Sequence, residues 1–369
     1  MNVESIQTQA TEDELSDLRE LADAIFAGPA LDSLTAPRVA LPFDAGLWDT
    51  LSVAGLTRLN TPVGLGGSGA GVAETAVVLS VAAAHAAPVP LAENDLLAAW
   101  LIECVGLQVP DVPMTAVMGT LNLVETSGSA LRATGTLERV PWARDCDSLV
   151  VLGEVGNRHV VFTLRMDGAE IAPGGNLAGE PRDAVRFECT LPSSAITDVG
   201  NEIPREFLLR GAFARSVQIC AALDRAMELT IEHASQRVQF GRSLGKFQAV
   251  QHMVASIACE VAAARAALDT AIRIVDADGF ATPRAGLTIA IAKSQSARAA
   301  NLVAKHCHQI HGAIGFTLDH QLRHFTLRVI AWSMEFGDEK TWNRSIGHTV
   351  LDAPQGDLWA VMTGVGASL

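Results

Sequence analysis

Hydrophobic positions recur at helical spacing in the first part of the chain. Leu15, Leu18, Leu21 and Ile25 follow one another at three- or four-residue steps, and Thr11 with the acidic residues after it is a typical helix start. From about residue 115 to residue 191 the pattern changes to short apolar segments separated by Gly, Asp, Asn and Pro, which predicts strands. The predicted strands are Leu131–Val140, Ser148–Leu152, His159–Arg165 and Ala184–Leu191.

The helical pattern returns from Pro204 onward. Val250, Met253, Ile257 and Val261 form one apolar stripe, and Pro283 with Gly286 indicates a break between two long helices. The chain is therefore predicted to have an α+β fold: an N-terminal helical domain (1–112), a middle antiparallel β domain (113–200) and a C-terminal four-helix bundle (201–369).

Composition narrows the class of protein. Of 369 residues, 49% are hydrophobic and 18% are charged, which excludes a disordered, collagen-like or charged coiled-coil chain and indicates that oligomerisation covers part of the surface. A net charge of −14 argues against nucleic-acid binding. The apolar runs are too short to span a membrane, and no secretory signal is visible, so a cytoplasmic location is expected.

Two motifs favour structural interpretations. Gly64, Gly66 and Gly69 satisfy the spelling GxGxxG, but the residues before them are a poor strand, so a glycine-rich helix connector is predicted rather than a dinucleotide loop. The six cysteines include no closely spaced pair, which predicts reduced and mostly buried thiols.

The histidines of the C-terminal part do not predict a metal site. His306, His308 and His311 lie two or more positions apart on a helix end, where neighbouring members face different directions. His320 and His324 can share a face, but two ligands are too few for zinc. We expect polar histidines at a helix terminus and no metal.

Two further segments carry residues suited to a nucleotide. The first is Arg237-x-x-Phe240-Gly241 followed by Phe247-Gln248-x-x-Gln251, and the second is Gln309-x-x-Gly312-Ala313-x-Gly315-Phe316. From the chemistry alone, the first segment is equally compatible with an ordinary helix connector and with a site that grips a phosphate and covers a ring.

In this order and spacing, the two motifs closely resemble those of the acyl-CoA dehydrogenase flavoproteins. The resemblance implies an enzyme that uses FAD to desaturate an acyl-CoA to a trans-2-enoyl-CoA and passes electrons to an electron-transfer flavoprotein. It also implies a tetramer, homomeric or heteromeric with a second subunit of this type, in which the dinucleotide end of each FAD is held by a neighbouring subunit.

Carried over to this chain, the resemblance assigns cofactor roles to seven residues. Arg237 would pair with the pyrophosphate, Phe240 would pack on a ring, and Gln248 would bond the nucleotide. Gln309, Gly312 and Ala313 would supply close contacts to the same end. Trp142 would correspond to an aromatic residue beside the flavin.

The sequence departs from the family at the flavin and at the catalytic base. Residues 114–122 show no loop of the Thr-Glu-Pro and Gly-Ser-Asp type that usually holds the flavin. The family places its base either early in the first bundle helix, where this chain has no carboxylate between Glu206 and Asp224, or directly before a glycine. Glu335 is the candidate at the second position, although Phe336 intervenes before Gly337. The alternative is that the base comes from a partner chain, which would make this protein a non-catalytic or half-site subunit of a heteromeric dehydrogenase, for example of the steroid-degradation type.

Overall fold

Helices form the N-terminal part of the fold. The computed structural model describes residues 10–27, 41–126, 130–318 and 320–352. The helices are α1 (Glu12–Phe26), α2 (Ala45–Val53), α3 (Val72–Ala84) and α4 (Trp100–Cys104), and a π-helical turn at Ala92–Ala99 leads into α4. The predicted helix start is confirmed, since the Glu14 amide donates to the Thr11 hydroxyl at 3.3 Å and the Thr11 amide donates to the Glu14 carboxylate at 2.8 Å.

The glycine-rich segment connects α2 to α3, as predicted. A 3₁₀ turn occupies Val63–Leu65, and no strand leads into it. A side chain at Gly67 would place its Cβ 2.1 Å from the carbonyl oxygen of Thr61, so the glycine permits a close backbone approach.

The middle part contains two four-stranded sheets. The strands are β1 (Met114–Thr120), β2 (Asn122–Glu125), β3 (Ala130–Pro141), β4 (Ser148–Val155), β5 (Arg158–Arg165), β6 (Glu170–Ala172), β7 (Arg182–Pro192) and β8 (Thr197–Val199). They are ordered β1-β4-β5-β8 and β2-β3-β7-β6. The prediction of an antiparallel domain needs one correction, because β1 and β4 pair in parallel. Strands β2 and β3 belong to the other sheet, so the chain re-enters the first sheet in its original direction.

Long helices form the C-terminal part. They are α5 (Ile203–Gln236), α6 (Gln248–Asp278), α7 (Pro283–His311), α8 (Leu322–Ser333) and α9 (Glu339–Asp352). The predicted break lies at residues 279–282, and Pro283 begins α7 after the Thr282 N-cap, whereas Gly286 lies inside the helix. Helices α5 to α8 form the bundle, and α9, in which Trp342 is buried, packs against α7.

One apolar core joins the N-terminal helices to the bundle, and a second fills the space between the sheets. All six cysteines are free, as expected, but Cys104 and Cys259 are exposed, so the prediction of mostly buried thiols is only partly correct. Among the described residues, no helix has the length and apolar character needed to cross a bilayer.

Candidate functional site

A short hairpin between α5 and α6 presents the first motif. Strands β9 (Val238–Gln239) and β10 (Arg242–Ser243) pair in antiparallel fashion around a two-residue turn at Phe240 and Gly241. Both turn residues have positive φ, 52° and 78°. Such turns favour Asn and Gly, yet the first position carries a phenylalanine that is 91% exposed. An aromatic side chain held in this costly and solvated position is available to stack on a ligand.

The second motif lies at the same end of the bundle. His233, in the last turn of α5, stacks on His311, the last residue of α7, with ring centroids 4.4 Å apart. Arg237 follows α5 directly, and Gly312 follows α7 directly, so the structure brings the two motifs to one end. The predicted dinucleotide residues in this region are all exposed: Arg237, Phe240, Gln248, Gln309, Gly312 and Ala313.

This end of the bundle fits the anionic part of a dinucleotide. The guanidinium of Arg237 makes no hydrogen bond or ion pair with the described residues, so its charge remains available to a phosphate. Gly312 has a φ of 66°, and a Cβ built there would meet nothing within 4 Å, so a ligand can approach the backbone. Gln248 is the first residue of the long helix α6, whose N-terminus favours negative charge.

A cluster of buried ion pairs joins the N-terminal helices, the strands and the bundle. Its carboxylates are Glu93, Glu180 and Glu335, and its guanidiniums are Arg182, Arg215 and Arg328. No side chain of the cluster is more than 9% exposed. Equal numbers of the two charges make the cluster neutral, as burial of so many ions requires.

The geometry does not support Glu335 as a base. Its Oε1 accepts from Nε of Arg182 at 2.8 Å, and its Oε2 accepts from Nε of Arg215 at 2.7 Å. Burial alone would raise the pKa of Glu335, but the two guanidiniums outweigh it and lower the pKa to about 2. A base that removes a weakly acidic proton needs the opposite shift, so the geometry favours a role as a charge partner, and the assignment of Glu335 as the base stays a prediction.

Neither of the two positions expected for a base carries a free carboxylate. Phe336 directly precedes Gly337, and its ring lies on Gly211 in the first bundle helix, where an added Cβ would be 2.1 Å from the ring. Phe207 packs edge-on against the same ring, with centroids 6.1 Å apart. The residue before Gly337 is therefore an aromatic ring packed on the first bundle helix, which has no carboxylate between Glu206 and Asp224.

A cavity of about 420 Å³ opens beside Phe336. Apolar side chains from β1, β3 and α5 line most of it, and its polar described members are Arg139, Arg182 and Glu335. Strand β1 runs through this region without the usual flavin-holding loop. Trp142 has a left-handed backbone, with φ of 53°, and its ring is 3% exposed and does not line this cavity, so its place beside a flavin stays a prediction.

Several polar residues near the cluster were missed by the sequence analysis. In the π-helical turn, Glu93 pairs with Arg215 at 2.5 Å, and Asn94 accepts from the Met114 amide at 2.8 Å. Asp95 accepts from the Asn60 amide at 2.8 Å, and burial raises the pKa of Asp95 to about 6 despite such bonds. In the sequence, Glu93, Asn94 and Asp95 form a run of polar residues inside an otherwise apolar segment. Such a run indicates polar groups that become buried on folding.

Lys293 is a second missed residue. It is fully buried on α7 and donates to the carbonyl oxygens of Ser333 at 2.9 Å and Gly337 at 2.8 Å. It therefore holds the end of α8 and the segment that carries Glu335 and Phe336.

Comparisons with known proteins agree with this architecture. Residues 198–349 match the family described as "Acyl-CoA dehydrogenase, C-terminal domain". The acyl-CoA dehydrogenase FadE27 of Mycobacterium tuberculosis is 26% identical over 85% of this chain and 90% of its own length. The acyl-CoA dehydrogenase IpdE2 of Mycolicibacterium smegmatis is 26% identical over 77% of this chain and 81% of its own.

A solved structure shows the same fold over almost the whole chain. The ChsE4-ChsE5 complex from Mycobacterium tuberculosis contains a chain with a TM-score of 0.82 and 25% identity, covering 94% of this chain and 99% of that one. Together with the arrangement of helices, sheets and bundle, these matches show that the chain has the acyl-CoA dehydrogenase fold and that residues 198–349 match the C-terminal domain of this family of FAD-binding flavoproteins.

Proposed function

We propose that this chain is one subunit of a heteromeric, FAD-dependent acyl-CoA dehydrogenase. The complex would desaturate an acyl-CoA to a trans-2-enoyl-CoA and pass electrons to an electron-transfer flavoprotein. In this complex a second dehydrogenase-like subunit supplies the catalytic carboxylate, and this chain binds the dinucleotide end of that subunit's FAD.

The observation that carries the proposal is a contrast between the two ends of the site. Arg237, Phe240 and Gly312 lie exposed at one end of the bundle, with the unpaired charge, exposed ring and open backbone that a dinucleotide needs. At the other end, Glu335 is the only carboxylate among the described residues that line the cavity, and two arginines neutralise it.

The cofactor residues of this chain have a limited chemical task. Arg237 would balance phosphate charge, Phe240 would cover a ring, and Gly312 would let the backbone approach. FAD would supply the hydride acceptor when bound. The similarity to the ChsE4-ChsE5 complex, which is named for two different chains, supports a heteromeric assembly.

A second candidate is a self-sufficient dehydrogenase that assembles as a homotetramer. The cavity of about 420 Å³ favours it, because space for a ligand remains beside Glu335 and Phe336. In this case each chain would bind its own FAD. Glu335 would have to break its ion pair with one arginine before its carboxylate could contact the substrate.

Flavin content separates the two candidates. The chain would be produced alone, incubated with FAD, freed of unbound flavin and measured for FAD per chain, followed by anaerobic addition of acyl-CoA. For the chain alone, the heteromeric proposal expects much less than one FAD per chain and no bleaching by acyl-CoA. When the dehydrogenase-like subunit that copurifies from the native host is added, the mixture should bind FAD, and acyl-CoA should bleach it. One FAD per chain that acyl-CoA bleaches would overturn it and support the homotetramer.

A further inference from the structure

Three histidines from separate elements meet beneath the turn that carries Gly312. His233 lies near the end of α5, His311 ends α7, and His320 precedes α8. The rings of His311 and His320 meet edge to face with centroids 4.7 Å apart, and His233 stacks on His311. One ring nitrogen from each histidine lies within 4.8 Å of the others.

His311 has the hydrogen-bonding pattern of a metal ligand. Its Nδ1 lies 2.8 Å from the carbonyl oxygen of Cys307, and because a carbonyl can only accept, Nδ1 carries the proton. Nε2 therefore has a lone pair, and this buried atom has no hydrogen-bond partner among the described residues. Metal-binding histidines commonly donate their second nitrogen to a backbone carbonyl in this way.

The other two rings can complete a site by moving. Nitrogens bound to one tetrahedral zinc ion are about 3.3 Å apart, given zinc–nitrogen distances of about 2.0–2.1 Å. His233 and His320 are half-buried, so their side chains can rotate toward His311. The Leu322 amide donates to Nδ1 of His320 at 3.1 Å. If Nε2 of His320 binds the metal, the ring proton lies on Nδ1, which can then no longer accept, so this hydrogen bond would break. The site would therefore close on the metal during binding.

We propose that His233, His311 and His320 form a binding site for one zinc-like divalent metal ion. Three imidazoles select zinc, cobalt, nickel or copper over magnesium and calcium, which prefer oxygen ligands. The bound ion would give the unpartnered Nε2 of His311 a ligand bond and would fix the end of α5 to the end of α7. This proposal is independent of the proposed dehydrogenase function.

Cobalt titration of the full chain tests the site. The protein would be purified without a histidine tag, stripped with a chelator and titrated with Co²⁺, whose visible absorption reports four-coordinate binding. We expect one equivalent of Co²⁺ to bind and Zn²⁺ to displace it. His233→Ala and His320→Ala should each weaken Co²⁺ binding by at least about tenfold.

The matched control removes an exposed histidine elsewhere, as His252→Ala on α6, and it should bind Co²⁺ like the unmodified chain. Both test residues are half-buried, and circular dichroism would show whether each variant keeps its helices. The absence of saturable Co²⁺ binding to the unmodified chain, or equal binding by folded His233→Ala and His320→Ala variants, would overturn the proposal.

Discussion

At the scale of single residues, the position of Glu335 between two guanidiniums sets the effect of removing its charge. Glu335→Gln leaves Arg182 and Arg215 buried without a full counter-charge, and it should lower the free energy of unfolding by about 3–5 kcal/mol. Urea unfolding measures this loss, and Glu170→Gln, at an exposed carboxylate, is the control. A variant that keeps its stability and loses turnover in the assembled complex would restore Glu335 as the base.

The same carboxylate gives a pH dependence with a defined sign. Because its pKa falls from 4.5 to about 2 on folding, its stabilising effect is complete above pH 4.5 and is lost as the pH falls toward 2. The unmodified chain should therefore lose stability over this range more steeply than Glu335→Gln. Parallel acid unfolding curves for the two proteins would contradict the ion pairs described above.

Lys293 predicts a second slope of the same sign, at neutral to alkaline pH. Burial lowers its pKa from 10.5 to about 7, so between these values the unfolded chain binds more protons than the folded chain, and stability rises with pH. The contribution is at most about 1.4 kcal/mol per pH unit. Lys293→Met should remove this rise, as well as weaken the fold by leaving two carbonyl oxygens unpaired. Unfolding free energies measured at several pH values would refute the prediction if the two proteins had equal slopes.

At the scale of elements, the hairpin that follows α5 is destabilised by Phe240, whose left-handed backbone is unfavourable for an aromatic residue. Asn tolerates the left-handed backbone at position 240 better than Phe does, so Phe240→Asn should raise the free energy of unfolding by about 1 kcal/mol. The same change should lower flavin retention in the assembled complex. Val53→Asn, at another highly exposed apolar residue, is the control for surface polarity. Lower stability or unchanged flavin content would contradict this account of the turn.

At the scale of the whole molecule, the dinucleotide residues should act on a subunit other than their own. Arg237→Ala should reduce the flavin bound by the assembled complex several-fold, because it removes a charge partner of the diphosphate. The unfolding of the isolated chain should hardly change, since this guanidinium has no ion pair among the described residues. Arg273→Ala, at an exposed arginine of α6, is the matched control. An equal flavin content in both variants would argue against the assignment.

The sequence predicted much of this architecture because periodicity and turn residues act locally. The strands near Ser148 and Arg182, the helix start at Thr11 and the exposed motif at Arg237 all follow from neighbouring residues. The ion cluster could not be predicted, since Glu93 and Arg215 are 122 positions apart and Arg182 and Glu335 are 153 apart. Nor could spacing show that the ring of Trp142 turns inward, because a left-handed residue in a strand end leaves no pattern.

The contact between Phe336 and Gly211 also constrains how a catalytic carboxylate could evolve in this chain. A side chain at position 211 would collide with the ring of Phe336, so the substitution Gly211→Glu cannot be accommodated while Phe336 is present. Replacement of the ring has no such barrier and leaves room for a later change on the helix. The two substitutions therefore have a required order, in which the ring is replaced before a side chain is introduced at position 211.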